Sequence, residues 1–386
     1  MTSSTPKTDT GPLQGITVVE LAGLGPAPFC GMVLADLGAE VMVVNRIAGP
    51  DPPLIDHEND LLNRGKRSIC VDLRQDAGVE IVLRLVAGAE ALIEGFRPGV
   101  TERLGIGPAA ALARNPALVY GRVTGWGQNG PLAETAGHDI DFISVAGVLG
   151  AIGGEDPVVP LNLIGDFGGG GMLLVVGLLA GIISARATGS GQVVDAAMVD
   201  GSALLATSHH GFLAGGDWIT RRRSNLLDGA APFYSVYRTS DGRHMAVGAL
   251  EPQFFEELLS VLEIDRSAVP EQMDRKGWPR MRESFESVFV TRTQEEWVDA
   301  FQGRDACVAP VLALSEAPQH PHNVARGTFV DIGDVIQPGV APRFSGTPAP
   351  PTRRPSRPGD STDSVLERLG YTRGEIGKLR ADSVVG

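Results

Sequence analysis

Cysteine is scarce in this chain of 386 residues: there are three, Cys30, Cys70 and Cys307, far apart and without a CxxC pair. That excludes a disulfide framework, argues against a zinc site and suits a reducing compartment. Positive charge is also in deficit. Lys+Arg 33 against Asp+Glu 46 leaves a net charge of −13, which repels a phosphate backbone over most of the surface and excludes nucleic acid as a partner. The opening stretch MTSSTPKTDTGPLQG has no apolar core of a secretory signal, so residues 1–10 are expected to be a disordered arm and the location cytoplasmic. Between Asp166 and Arg186 lie 19 uncharged residues, but Gly168 to Gly171 interrupt them early. The apolar run that remains, 172–185, has the length of a buried core helix, so no membrane span is expected. No internal repeat stands out.

What is present is globular: 43% hydrophobic and 20% charged residues, with 50 glycines in no fixed period. The first third alternates β-rich runs (ITVVEL, EVMVVN, ICVDL, ALIEG, LVYGRV) with helical patterns. Strands apolar on both sides and joined by amphipathic helices predict an α/β fold with a parallel sheet. Residues 168–215 read as closely packed apolar helices, and WITRRRSNLLDGAAP as an exposed connector. Further on, FYSVYRTSDGRHMAVGAL predicts a hairpin, EPQFFEELLSVL and TQEEWVDAFQ predict helices, and together they form a smaller α+β domain. The boundaries are a large domain over 11–197 and 322–386, a linker at 198–228 and a small domain at 229–321. Residues 339–359 are proline-rich and extended, and two short helices close the chain.

GLGPAPFCG after the first strand starts like a dinucleotide fingerprint, but Pro28 stands where the third glycine belongs, and the second strand ends in Asn45 and Arg46 rather than an acid. A tight strand-to-helix turn explains it better than a nicotinamide site. Seven basic residues, Arg46, Arg64, Lys66, Arg67, Arg74, Arg97 and Arg103, fall on or beyond successive strands, where an open α/β sheet binds ligands. Together they could clamp an anionic ligand, or belong to a mixed, solvated surface. The sharpest constellation is GHDIDFIS, with His138 beside Asp139, followed 28 residues later by Asp166 in LNLIGDFGGGG. Asp166 is placed to cap the apolar helix, to leave backbone N–H groups free for an oxyanion, and to have glycines that let a ligand reach the main chain. A histidine and a carboxylate of different basicity can also pass a proton between them.

The order of VVELAGLGPAPFCGMVLADLGAEV, GKRS, RPGVTERLG, TGWGQNGP, AGHDIDFIS, LNLIGDFGGGG, GQVVDAAMVDG, APFYSVYRTSDGRHMAVGALEPQFF and DACVAPVL closely resembles the α-methylacyl-CoA racemases of the class III CoA-transferase superfamily, from about residue 12 onward. The resemblance implies a Rossmann-like large domain that binds CoA, a small domain, and an interlocked homodimer with its active site between subunits. It matches Arg46 to the adenine end of CoA. It matches Val71, Asp72, Leu73 and Arg74 to the nucleotide lining, and Gly95, Arg97, Pro98 and Gly99 to the pantetheine approach. Arg103 is matched to a phosphate contact, and Gly137 and Asp139 also fall in the CoA site. The catalytic pair corresponds to His138 and Asp166, supported by Glu251 from the partner subunit. The activity implied is interconversion of (R)- and (S)-2-methylacyl-CoA by 1,1-proton transfer through an enolate held by the Asp166 N–H. No metal or separate cofactor is implied, because the CoA moiety is part of the substrate. The sister reaction, CoA transfer between an acyl-CoA and a carboxylate with Asp166 as nucleophile, needs no histidine at 138. Asp141, Phe142, Leu226 and Ala230 depart from the racemase pattern, the first two near the thioester.

Overall fold

A computed structural model describes residues 10–47 and 55–386; the arm expected at residues 1–10 falls almost wholly outside them. The chain separates into two compact units. The first takes the residues through Ala146 with Leu161–Leu205 and Pro321–Gly386, and the second takes Gly147–Pro160 and Ala206–His320.

In the first unit six strands form one sheet: β1 (Thr17–Leu21), β2 (Glu40–Asn45), β3 (Arg67–Cys70), β4 (Ala91–Glu94), β5 (Val119–Thr124) and β6 (Gln192–Ala197). All neighbours are parallel and the order is β3-β2-β1-β4-β5-β6, the doubly wound arrangement expected of the βαβ pattern. Successive strand residues point to opposite faces. Val18, Val41, Ile93 and Val119 meet the helices Pro26–Asp36 and Leu173–Thr188 on one side. Val19, Met42, Leu92 and Tyr120 meet Asp76–Ala87, Pro108–Arg114 and the C-terminal helices Thr362–Arg368 and Arg373–Ala381 on the other. Strand order reverses between β1 and β4, so the ligand crevice of such a sheet opens beyond Leu21 and Glu94.

Three buried ion pairs hold the layers. Lys66 Nζ donates to both oxygens of Glu20 on β1, at 2.9 and 2.7 Å, and to the Pro28 carbonyl. Arg64 pairs with Asp36 and donates to the Gln337 side chain and Pro338 carbonyl. Arg122 lies between Glu94, at 2.7 Å, and Glu102, at 2.9 Å. The outer edge of β3 is covered by the end of the chain. Ser356 Oγ donates to Lys66 O, Gly359 N–H to Ser68 Oγ, and Cys70 N–H to Thr362 Oγ1, while Val71 bridges Val385. A parallel edge strand is thus not left open.

The apolar run continues a π-helix, Leu163–Met172, into the helix Leu173–Thr188. This is the one helix among the described residues long and apolar enough to cross a membrane, but its inner face is buried on the sheet, as a core helix requires. The span assigned as a linker opens with two helices, Met198–Leu205 in the first unit and Thr207–Gly215 in the second. Small residues let the former pack closely, and the helices through Gly215 agree with the apolar, small-residue composition of 168–215 rather than with the linker bound drawn at 198.

The second unit carries an antiparallel sheet of β7 (Tyr234–Arg238), β8 (His244–Gly248) and β9 (Val308–Pro310), with the expected hairpin turn between β7 and β8. Helices Pro252–Val261, Trp278–Phe289 and Gln294–Phe301 bury Phe233, Tyr237, Phe255, Phe285 and Trp297 against it. Leu226 and Ala230 pack on this core.

Replacing Lys66 by methionine strands the Glu20 carboxylate in the core, and is expected to lower unfolding free energy by about 3–5 kcal/mol. Arg74→Ala, which opens an exposed pair with Asp72, is expected to leave the unfolding midpoint nearly unchanged, because solvent screens such a pair. Urea denaturation of the two variants side by side checks this.

Candidate active site

His138 and Asp166 come together in the first unit. His138 is the N-cap of the helix Asp139–Val145, where the Asp141 side chain accepts its N–H at 2.9 Å. The imidazole is exposed. Asp166 lies in the first turn of the π-helix and is half-buried; it does not cap the apolar helix as its position in the sequence suggests, because helical structure begins before it. Its carboxylate accepts from Asn162 Nδ2 at 2.9 Å and faces the turn after β1, where a Cβ on Gly25 would stand 3.2 Å from Oδ2. Gly25 also has φ 68°, the left-handed backbone region that favours glycine.

Burial pushes the Asp166 carboxyl above the ordinary aspartate range. The Asn162 hydrogen bond opposes this, the Asp139 charge adds to it, and the His138 charge opposes it.

Two expectations about Asp166 change. Its N–H is not free for an oxyanion, because it donates to Asp139 Oδ1 at 2.7 Å. The glycine run does not open the main chain to a ligand either. A Cβ on Gly169 would meet Ser202 N at 2.8 Å, and one on Gly171 would meet Phe29 at 2.7 Å. These glycines let the π-helix lie against two neighbouring helices.

The basic residues sort into two groups. Arg64 and Lys66 are buried in the ion pairs described above, so these two are structural and not part of an anion clamp, while Arg67 is exposed and lies 3.5 Å from Glu40. Arg46 follows β2, Arg97 follows β4, and Arg103 ends the short helix Val100–Arg103; all three are exposed and carry no ion pair among the described residues. Arg74 is exposed but held by Asp72, whose carboxyl the Arg74 hydrogen bonds lower to about 2. Val71 is buried and Leu73 packs on the core, leaving the Arg74 side chain as the exposed part of this segment. Gly95, Pro98 and Gly99 form the turn after β4 at the sheet's C-terminal edge, and Gly137 abuts Phe142 and Trp126. Phe142 is buried edge-on to Trp126, with ring centroids 4.8 Å apart, so it belongs to the core. Glu251 is exposed in the second unit, at the N-terminus of Pro252–Val261. Pro26 and Pro28 remove N–H groups from the first turn of the helix after β1, and the Asp166 carboxylate stands beside it, so a pyrophosphate finds no seat there. Among the described residues no group of three or more His, Cys, Asp or Glu is arranged to hold a metal.

A family model for CoA-transferase family III matches residues 13–362. The chain belongs to CoA-transferase family III. It is 45% identical over 377 residues to the α-methylacyl-CoA racemase of Mus musculus and 44% identical over 377 to that of Homo sapiens, covering 97% of each chain in both cases. Among solved structures it resembles a CAIB/BAIF family protein from Brucella suis, with a TM-score of 0.80 at 28% identity over 93% of this chain and 100% of that one.

One residue of this candidate site is not marked by the sequence. Asn162 stands four positions before Asp166, a spacing that meets on a helix face, but LNLIGD followed by glycines did not read as helical. Asn162→Ala removes a donor that stabilises the charged carboxylate, so the Asp166 carboxyl is expected to titrate at higher pH. Carbon NMR titration, with Asp166→Asn supplying the assignment, checks it, and an unmoved titration counts against the geometry.

Proposed function

We propose that the chain is a racemase or epimerase that interconverts (R)- and (S)-2-methylacyl-CoA thioesters by 1,1-proton transfer, with His138 and Asp166 as the acid/base pair. The observation that carries this reading is the convergence of His138 and a half-buried, proton-avid Asp166 in a chain 45% identical to an α-methylacyl-CoA racemase. A thioester acidifies its α-hydrogen. One group of the pair removes it as a proton, the C–H electrons move onto the thioester oxygen as an enolate, and the other group returns a proton to the opposite face. Both enantiomers are then substrates, and no separate cofactor or metal enters. With the Asp166 N–H engaged, the oxyanion falls to the Asp139 N–H, which opens a helix where no preceding turn supplies an acceptor.

The CoA moiety is assigned to Arg46 at its adenine end, Arg97 along the pantetheine and Arg103 at a phosphate, three exposed residues that carry no ion pair among the described residues and follow β2 and β4 of a doubly wound sheet, despite the net charge of −13. Glu251 is the supporting carboxylate, contributed by a second copy of the chain. A homodimer is supported by the apolar surface the first unit leaves open: Met172, Val176 and Ile183 on the long helix, with Leu204 and Leu205 beyond it. Free thiols at Cys30, Cys70 and Cys307 agree with a cytoplasmic setting.

Incubation with (S)- and separately with (R)-2-methylacyl-CoA in D₂O is expected to give α-deuterium incorporation and one common enantiomer mixture. His138→Ala and Asp166→Ala should slow both by roughly 10²–10⁴-fold. No exchange, with CoA appearing on an added carboxylate, would overturn the reading in favour of transfer through an Asp166 acyl anhydride. Arg46→Ala and Arg97→Ala should each raise KM by roughly two- to fivefold with kcat nearly unchanged. That difference should shrink as salt is added, as a steady-state series at rising ionic strength would record.

A further inference from the structure

The carboxyl of Asp139 is a buried group in the heart of the site that the proton transfer leaves unused, since that reading draws only on the main-chain N–H of the residue. The residue is 5% exposed. Its Oδ1 accepts the Asp166 N–H at 2.7 Å, and its Oδ2 is buried without a partner. The approach is possible because residue 165 is glycine: a Cβ there would sit 2.6 Å from Oδ1 and 3.0 Å from Cγ. Asp139 is also the first residue of the helix that His138 caps. One buried side chain therefore joins the main chain of one acid/base residue to the main chain beside the other, across 27 residues of sequence.

Resting on the racemase reading above, we infer that Asp139 is a positioning residue: its carboxylate fixes the Asp166 main chain against the helix that carries His138, so both groups share one rigid mount. A one-ångström loosening of such a mount is enough to slow a reaction that needs near-attack geometry on two faces of one carbon. A neutral amide at 139 would keep an acceptor for the Asp166 N–H and remove the charge, whereas alanine would remove both.

The charge has a separate signature. The elements packed on the π-helix bring His138, Asp139 and Asp141 from Asp139–Val145, Asp200 from Met198–Leu205, Asp36 from the far end of Pro26–Asp36, Arg122 from β5 and Asp195 from β6. Arg186 lies near the far end of the helix that continues from it. Asp36 and Arg122 are neutralised in their buried pairs, Asp195 accepts the Gln128 N–H, and only Asp139 and His138 act on the Asp166 carboxyl. Removing the like charge of Asp139 favours the charged form of Asp166, so its titration moves to lower pH.

The test compares Asp139→Asn and Asp139→Ala with the parent in α-deuterium exchange against pH. Asp139→Ala is expected to lower kcat at least tenfold with KM for acyl-CoA within about twofold. Asp139→Asn, which keeps an acceptor for the Asp166 N–H, is expected to lower kcat less than Asp139→Ala does and to move the Asp166 limb of the profile to lower pH. Carbon NMR titration of the Asp166 carboxyl in Asp139→Asn gives the same shift without turnover, which keeps the test valid if Asp139→Ala does not fold. Parental kcat and parental profiles in both variants, even with a lower melting temperature, would reduce Asp139 to a structural residue and overturn the inference. Absence of exchange in the parent would instead overturn the racemase reading, and the Asp166 titration would then decide on Asp139 alone.

Discussion

The hydrogen bond from the Asp166 N–H to Asp139 Oδ1 makes one site out of two distant stretches of chain. Each end has its own reason to be where it is. Asp139 starts a helix whose third residue, Asp141, closes back on the His138 N–H, fixing the entry of the chain. Asp166 sits in a π-helix, a wide and weakly bonded form that needs outside support. The support comes from glycines packed against Ser202 and Phe29, so close helix contact replaces the helix propensity that four consecutive glycines lack.

Charge in this molecule divides by burial. Lys66, Arg64 and Arg122 are all met by carboxylates inside the protein, where an unmet charge would cost several kcal/mol. Arg46, Arg97 and Arg103 are exposed and meet none among the described residues. A chain with an overall acidic balance can thus offer a local cationic rim, because screening confines the opposing field to about 8 Å.

Much of this was legible in advance. The strands of the parallel sheet and the hairpin of the second unit announced themselves through period and turn chemistry, which are local properties. His138 and Asp166 were legible as a pair through an order of motifs spread over the chain. Lys66 was not legible as structural, since its partner Glu20 is 46 residues away and nothing local marks the match. Asn162 and the π-helix were hidden for a related reason: tertiary packing, not the residues themselves, makes that segment helical. The Asp166 N–H read as free because the acceptor that takes it comes from another element.

The covering of β3 by the end of the chain sets a schedule for biosynthesis. Ser356, Gly359 and Thr362 meet partners 290, 291 and 292 residues earlier. At about 5–20 residues per second a ribosome needs roughly 15–60 s to supply them. Through that interval the nascent sheet has an uncovered parallel edge, a surface that recruits foreign strands. The first unit therefore depends on whatever shields that edge in the cell until its last residues emerge.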